Sequence, residues 1–587
     1  MDSSKTDDSD AADSTADTRT VAGRLLRSLA ESGVSYVFAN FGTDHAPLLE
    51  AASRLRASGA GESIPEFVLC PTEFPAMSAA HGYAAVTGDP QAVLVHVDVG
   101  TQSLGAAMHN AHRAKVPIFV LAGLAPVSHD GHPGSRDINV HYVQDVFDQP
   151  GIVREYCRWT SEYRPPADPA ELVERGLDRA TAPDPGPVYL SATREALETP
   201  VEAVSTDRGG RQTSRVQAAG ADVDAVAAIT ERVAAAERPL LITGDLGAAP
   251  DPNRGVEALV AFAEAAGAGV VENPANSLNF PRDHDLHVGF TPATAFEDAD
   301  LVVLAATDVP WVPAQGDLPD DIPVLQIDTD PSKRHFPQWP FVVDEAYAAA
   351  PAKTLAAVAD RVDPADGSAG RDHWRAASTA WREEADETVR RDREVGRLTP
   401  AVVSDALDDV VDERTILVDD AVTSSESLLE HVRLTDPGSY VSKGGSGLGF
   451  GPASAVGVKL AAPEKRVIAA VGDGAYLFGQ PTVSAWLGAA YDAPTLTVVY
   501  DNEGWNAVAG ATHLQHPDGA FAAADAPESR FGASLDLTVP ATAAGAATES
   551  VTELDDLEPA LETGVAAVED GTPAVVVVEV ERSRGPK

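Results

Sequence analysis

Apolar and polar positions alternate along this chain in a repeated rhythm. A short run of branched apolar residues stops at a turn bearing Gly, Asp or Asn, and a longer stretch with helical spacing follows. Tyr36–Phe38, Glu66–Leu69, Ala92–Val97 and Ile118–Ala122 are such runs near the start. Pro239–Thr243, Leu301–Ala305 and Val324–Asp328 repeat the pattern in the middle, and Val467–Val471, Leu496–Tyr500 and Ala574–Val580 do so near the end. Runs this short, apolar at nearly every position, predict strands buried on both faces. Helices are predicted over Val21–Ser32 and Ala46–Arg56, from Pro71 through Tyr83, and over Ser103–His112 and Thr482–Tyr491. Strands alternating with helices predict an α/β fold of doubly wound parallel sheets with helices on both faces.

Two polar stretches without periodicity interrupt the rhythm, TPVEAVSTDRGGRQTSRVQ at 199–217 and Asp363–Asp372. They predict three domains, residues 20–200, 221–362 and 398–587, a number that suits a chain of 587 residues. Residues 1–19 are acidic and lack an apolar core; they read as a disordered tail, neither a signal nor a transit peptide. No apolar run reaches the length of a membrane span. Cys70 and Cys157 are the only cysteines, so no disulfide framework or Cys-rich metal site is expected, and a cytoplasmic location is.

Charge changes the picture further. Asp and Glu total 90 against 43 Lys and Arg, a formal net charge of −47 spread over the whole chain. A nucleic-acid binder needs a basic face, which this distribution denies. Hydrated carboxylates whose repulsion is screened by salt are what a halophilic protein requires.

The stretch Val467–Val508 carries the densest chemistry. Its first apolar run ends at Gly472-Asp473-Gly474-Ala475, and its second at Asp501-Asn502-Glu503-Gly504. Right-handed crossover geometry makes the two strands parallel, so both ends lie on one edge of the sheet. An Asp and an Asn meeting beside Gly-rich backbone suit a hard cation such as Mg²⁺, which takes about six oxygens and leaves several of them to phosphates and water. Asp473, Asn502 and the Gly504 carbonyl are the expected metal ligands. Gly474 allows close backbone approach to a phosphate, and the helix start after it offers unpaired N–H groups. The alternative is an ordinary strand–helix–strand unit with a tight turn.

This layout resembles the cofactor motif of the thiamine diphosphate (ThDP)-dependent decarboxylase and carboligase superfamily, in which Gly-Asp-Gly is followed, after the next strand, by Asn-Asn. Asp501 stands where the first Asn is usual, and Asn502 matches the second, the metal ligand. Three α/β domains in this order resemble the same superfamily, whose members include acetolactate synthase and benzoylformate decarboxylase. The resemblance implies an N-terminal pyrimidine-binding domain, a central domain and a C-terminal diphosphate-binding domain. It also implies that Gly472, Asp473, Gly474, Ala475 and Asn502 bind the cofactor.

The remaining site residues follow from that resemblance. Glu73, in PTEFPAMSAAHGYAAVTG, matches the catalytic Glu that bonds the aminopyrimidine; otherwise it is a carboxylate at a helix start. Gly447 and Leu448, in KGGSGLGFG, match the segment whose large apolar residue props the cofactor in a bent shape. His96 stands four residues before Gly100-Thr101, at the offset of a proton-transferring His in benzoylformate decarboxylase. His45 is a second candidate for that task, whereas Asp44, His109 and His112 read as structural or rim groups.

The segment Thr307–Pro313 lacks the Arg-Phe-Asp-Asp-Arg pattern of acetolactate synthases, which puts FAD in doubt. His284 and His287 read as surface groups. The expected activity is ThDP- and Mg²⁺-dependent decarboxylation of a 2-oxo acid with acetolactate synthase-like carboligation. The alternatives are benzoylformate-type decarboxylation without ligation and a non-catalytic ThDP-binding subunit. The resemblance implies a homodimer or homotetramer with the site at the subunit interface. No nucleic-acid or membrane partner is expected.

Overall fold

A computed structural model describes residues 20–201, 216–365, 367–524, 527–531 and 535–582. The acidic tail 1–19 and residues 202–215 of the linker lie outside them.

The apolar runs form three sheets in which every pairing is parallel. The first contains β1 (Tyr36–Ala39), β2 (Glu66–Leu69), β3 (Gln91–Val95), β4 (Ile118–Leu124), β5 (Trp159–Glu162) and β6 (Val188–Thr193), in the order β2-β1-β3-β4-β6-β5. The second contains β7 (Pro239–Thr243), β8 (Gly269–Glu272), β9 (Leu301–Ala305), β10 (Val324–Asp328) and β11 (Glu345–Ala348), in the order β11-β10-β9-β7-β8. The third contains β12 (Thr415–Asp420), β13 (Tyr440–Ser442), β14 (Arg466–Gly472), β15 (Leu496–Asp501), β16 (Ala547–Val551) and β17 (Ala574–Glu579), in the order β13-β12-β14-β15-β17-β16.

The first and third sheets share one topology, strand for strand. In both, chain direction across the sheet reverses between the first and third strands, β1/β3 and β12/β14. Ligands of open α/β sheets bind outside the carboxyl ends at such a switch point. The third strand of each sheet ends beside a chemistry-bearing residue: His96 follows β3 and Asp473 follows β14.

Contacts divide the chain into two units. One holds the first sheet and Gly444–Gly447; the other holds the second and third sheets. Each sheet has its own core, as with Leu25, Val37, Leu94 and Leu190 in the first unit and Leu240, Phe262, Val302 and Trp374 around the second sheet. Every β3 and β4 residue but Leu124 is buried, which explains why these strands read as unbroken apolar runs. Burying one such side chain contributes about 1.5–3 kcal/mol.

The helix Glu73–Thr87 is lined with Ala, Ser and Gly and buried along most of its length, so it is apolar all round rather than amphipathic. The helix after β3 runs Val97–Arg113, six residues earlier than the expected start at Ser103, with a break at Gly105 (φ 34°). No described helix is long and apolar enough to cross a membrane. Both cysteines are free.

His287 corrects the sequence reading. It is wholly buried rather than at the surface, and its Nε2 meets Glu272 Oε1 at 3.1 Å. Glu272 in turn accepts the backbone N–H of Asn279 at 2.9 Å and its side-chain amide at 2.8 Å. A polar stretch, PRDHDLH, is drawn inward here because a buried carboxylate at the end of β8 needs donors.

Candidate active site

Within the first unit the strand ends gather four titratable groups. Glu73 opens its helix directly after the β2 loop and is half-buried. Burial raises the pKa of its carboxyl, against the opposing pull of its own backbone N–H and of His96. Gly100 keeps this space open, since a Cβ there would stand 3.0 Å from Glu73 Oε1.

His96 caps the helix Val97–Arg113. Its Nδ1 is bonded to Asp44 Oδ1, and its Nε2 lies 3.1 Å from Gln144 Oε1. Burial pulls the imidazole pKa down. The bond and charge of Asp44, the Gln144 bond and the charge of Glu73 outweigh that, and the net shift is upward. Asp44 is wholly buried; burial raises its pKa, but the neighbouring His45 and the bond and charge of His96 outweigh that, and the net shift is downward.

His45 is also wholly buried. Its Nδ1 accepts the Gly42 N–H at 3.0 Å, and its Nε2 lies 3.1 Å from the Val95 carbonyl and 3.2 Å from Asp44 Oδ2. Desolvation lowers its pKa, so it packs as a neutral ring with both nitrogens engaged. His141, from the short helix Val140–Val143, reaches Thr43 Oγ1 at 3.2 Å.

Gly447 belongs to this unit, and Asn110 brackets its peptide. The Gly447 N–H donates to Asn110 Oδ1 at 2.8 Å, and Asn110 Nδ2 donates to the Gly447 carbonyl at 2.9 Å. His109 accepts the Ser446 N–H at 3.2 Å, and His112 is buried against the Tyr156 carbonyl.

In the second unit, register pairs Gly472 with Tyr500, which sets Asp473 level with Asp501. Asp473 is buried. Its Oδ1 accepts the Gly474 N–H at 2.7 Å and its Oδ2 the Gly504 N–H at 2.8 Å. Burial raises its pKa to about 7; the two N–H groups oppose the rise and the Asp501 carboxylate adds to it.

Gly474 is glycine for a reason absent from the sequence reading: a Cβ would stand 2.3 Å from the Trp505 ring. Its N–H is spent on Asp473. Gly504 has φ +152°, and a Cβ there would lie 2.1 Å from the Ser529 carbonyl. The Gly504 carbonyl accepts the Asn506 N–H at 3.0 Å and keeps one lone pair. Arg582, which the sequence reading missed, donates from Nε to the Asn502 carbonyl at 2.7 Å and fixes this loop.

Asp420 is the other residue the sequence reading missed. It ends β12 at the switch point and is wholly buried. Its Oδ1 accepts Lys443 Nζ at 2.7 Å, and its Oδ2 accepts the N–H groups of Gly449 at 3.0 Å and Gly451 at 3.2 Å. One carboxylate thereby shapes the loop that carries Leu448, which packs against the core of the third sheet.

Residues 19–152 match the family described as thiamine pyrophosphate enzyme, N-terminal TPP binding domain, residues 226–350 its central domain and residues 420–578 its C-terminal TPP binding domain. The chain belongs to the thiamine diphosphate-dependent enzymes. Thiamine pyrophosphate and thiamine diphosphate are one compound. Benzoylformate decarboxylase of Pseudomonas aeruginosa is 25% identical over 84% of this chain and 87% of its own length. Acetolactate synthase isozyme 3 large subunit of Escherichia coli is 23% identical over 82% of each. The structure of the thiamine diphosphate-dependent 4-hydroxybenzoylformate decarboxylase of Rhodococcus jostii RHA1 superposes with a TM-score of 0.79 over 96% of this chain and 100% of that one, at 23% identity, which shows a shared fold.

A thiamine diphosphate-dependent enzyme must hold a diphosphate, and Asn502 tests whether these residues suit a cation beside it. Asn502 Oδ1 is buried and has no hydrogen-bond partner among the described residues. A buried orphan oxygen costs the fold about 1–3 kcal/mol. Beside a carboxylate and a carbonyl with a spare lone pair, it fits a hard cation that coordinates through oxygen.

Proposed function

We propose that this enzyme decarboxylates a 2-oxo acid with ThDP and Mg²⁺ and releases the aldehyde without ligation. The observation that carries this reading is His96, held by Asp44 on the same sheet edge as Glu73. The benzoylformate decarboxylase relative supports it. Acetolactate synthase-like carboligation, the leading expectation from sequence, is the second reading, supported by the acetolactate synthase relative.

Asp473, Asn502 and the Gly504 carbonyl would hold Mg²⁺. Gly472, Gly474 and Ala475 would form the turn against the diphosphate, and Leu448, beside Gly447, would prop the cofactor in its bent shape. The bound cofactor supplies the electron sink for the pair left when CO₂ departs. Glu73, its pKa raised by burial, would share a proton with the aminopyrimidine. His96 would move a proton to or from the substrate. His45, fully engaged by its neighbours, is a packing group in this reading.

Beside the second sheet, buried Lys333 bridges Asp308 in the loop after β9 and Asp328 at the end of β10, each at 2.8 Å. This occupies strand ends with internal ion pairs and supports a chain that works without FAD. The exposed apolar residues Ile138, Val140, Tyr142, Val143, Val146 and Phe147 crowd one segment of the first unit. Patches of this kind mark protein contacts, which supports a homodimer or homotetramer.

A panel of 2-oxo acids, incubated with the enzyme, ThDP and Mg²⁺ in concentrated salt, tests the proposal. CO₂ with an equal amount of aldehyde is expected. Acetolactate from pyruvate would favour the second reading. No CO₂ from any acid, with cofactor binding shown by calorimetry, would rule out both.

A further inference from the structure

We propose that Asp44 is the positioning residue for His96, gripping the ring by Nδ1 so that Nε2 is the nitrogen that gives and takes the proton. The inference rests on the catalytic reading of His96 and adds a residue that the sequence alone placed among structural groups.

The packing is built around this grip. Asp44 has no exposed surface, and its oxygens divide their work. Oδ1 takes His96 Nδ1, while Oδ2 faces His45 Nε2 at 3.2 Å and the Val97 N–H at 3.4 Å. Two glycines from separate strand ends clear the space. A Cβ on Gly42 would fall 2.0 Å from His96 Nδ1, and one on Gly123 would fall 1.3 Å from Asp44 Oδ2. Any other residue at either position expels one partner of the pair.

The protonation state follows from the partners. Nδ1 of His96 faces the Asp44 carboxylate and Nε2 faces Gln144 Oε1, an arrangement that favours the imidazolium. The other charged or titratable groups around it are neutral His45 on the same turn as Asp44, Glu73 from its own helix, and His141 from the segment that carries Gln144. The Asp44 end is sealed, whereas the His96 side chain keeps 20% of its surface exposed. Transfer of the Nε2 proton to the substrate, in place of the Gln144 bond, leaves a neutral ring protonated at Nδ1. Asp44 keeps its charge and its bond throughout, so the tautomer is set before and after transfer.

A buried ion pair that merely fills space is weak evidence for stability and is replaceable by neutral groups of similar shape. That rival reading is separable by experiment. Asp44→Asn keeps the shape and removes the charge. With ThDP affinity unchanged by calorimetry, kcat is expected to fall about a hundredfold, the low end of a general acid's contribution, with KM little changed. The alkaline limb of the kcat–pH profile should move down by about one unit or more. In a His96→Ala background, Asp44→Asn should change kcat by less than about twofold, because the two residues act as one. Equal losses in both backgrounds, or an unmoved alkaline limb, would overturn the proposal.

If His96→Ala keeps full kcat, the catalytic reading of His96 fails and takes the proposal with it. If His96→Ala is inactive while Asp44→Asn is silent, only the positioning role fails. Should Asp44→Asn not fold, the unaltered chain labelled with ¹⁵N-histidine decides. The resonance missing from His96→Gln should be that of an imidazolium at neutral pH, and a neutral ring there would overturn the proposal.

Discussion

The backbone N–H of Gly504 donates to Oδ2 of Asp473 at 2.8 Å, tying the loop after β15 to the residue that follows β14. The bond orients the Asp473 carboxylate toward the same edge as Asn502. Asp473→Ala removes both a proposed ligand and the acceptor that fixes this loop. Even groups that only orient a metal ligand contribute roughly 10- to 100-fold to affinity, so ThDP affinity in Mg²⁺ should drop beyond that range. Calorimetry on a folded Asp473→Ala chain measures it; unchanged affinity would remove Asp473 from the metal site.

Asn502→Ala separates binding from stability. Its Oδ1 is buried without a partner among the described residues, so the fold gains nothing from that oxygen. Without cofactor, the variant should melt at or near the wild-type temperature. With ThDP and Mg²⁺ present, the stabilisation that binding confers on the wild type should largely vanish. Equal stabilisation of both proteins would mean that Asn502 contributes nothing to the cation.

Glu73→Gln should leave ThDP binding nearly intact, because the diphosphate-side residues are untouched. Proton–deuterium exchange at C2 of the bound cofactor, read by acid quench and NMR, should slow by orders of magnitude, each tenfold corresponding to about 1.4 kcal/mol of barrier. Exchange at the wild-type rate would reduce Glu73 to a helix-end carboxylate.

His81 predicts an acid limit to stability. It is wholly buried, and desolvation pushes its imidazole pKa down to about 3. The unfolded ring titrates near 6.5, so below that pH the unfolded chain binds a proton that the folded one refuses. Stability should therefore fall by about 1.4 kcal/mol per pH unit from this group alone as pH drops from about 6.5 toward 3. Melting curves between neutrality and pH 5, at constant salt, should be less steep in pH for His81→Gln by one proton's worth. Equal slopes would show that His81 is not neutral in the fold.

The places of Glu73 and His96 in the first sheet, and of Asp473 and Asn502 in the third, were legible because each follows an apolar run, and parallel topology brings such stops to one edge of their own sheet. The strands β5, β11 and β16 were not, since WTSE, EAYA and ATESV are half-exposed edge strands with no apolar run. Gln144 and His141 lie in a stretch between β4 and β5 without periodicity, and only tertiary packing brings them to His96. Asp420 follows an apolar run, TILV, but its meaning depends on N–H groups some thirty positions away. The roles of Gly42 and Gly123 are likewise visible only as space reserved for Asp44 and His96.

The shared site is the remaining prediction. Glu73 lies in the first unit and Asp473 in the second, and the proposed function assigns both to one ThDP. We propose that the first unit of one copy and the second unit of another enclose the cofactor, making a dimer the smallest active species. A chain of net charge −47 repels its copies when salt is low, since screening is weak there. Diluting salt should dissociate the dimer, weaken ThDP binding and abolish activity over one range of concentration. Glu73→Gln and Asp473→Ala chains should each be inactive alone. After subunit exchange in concentrated salt, one of the two sites in each mixed dimer carries both wild-type residues, so activity should return toward half the wild-type value per mixed dimer. Activity from an isolated monomer, or none from a mixture whose exchange is proven by mass spectrometry, would eliminate the shared site.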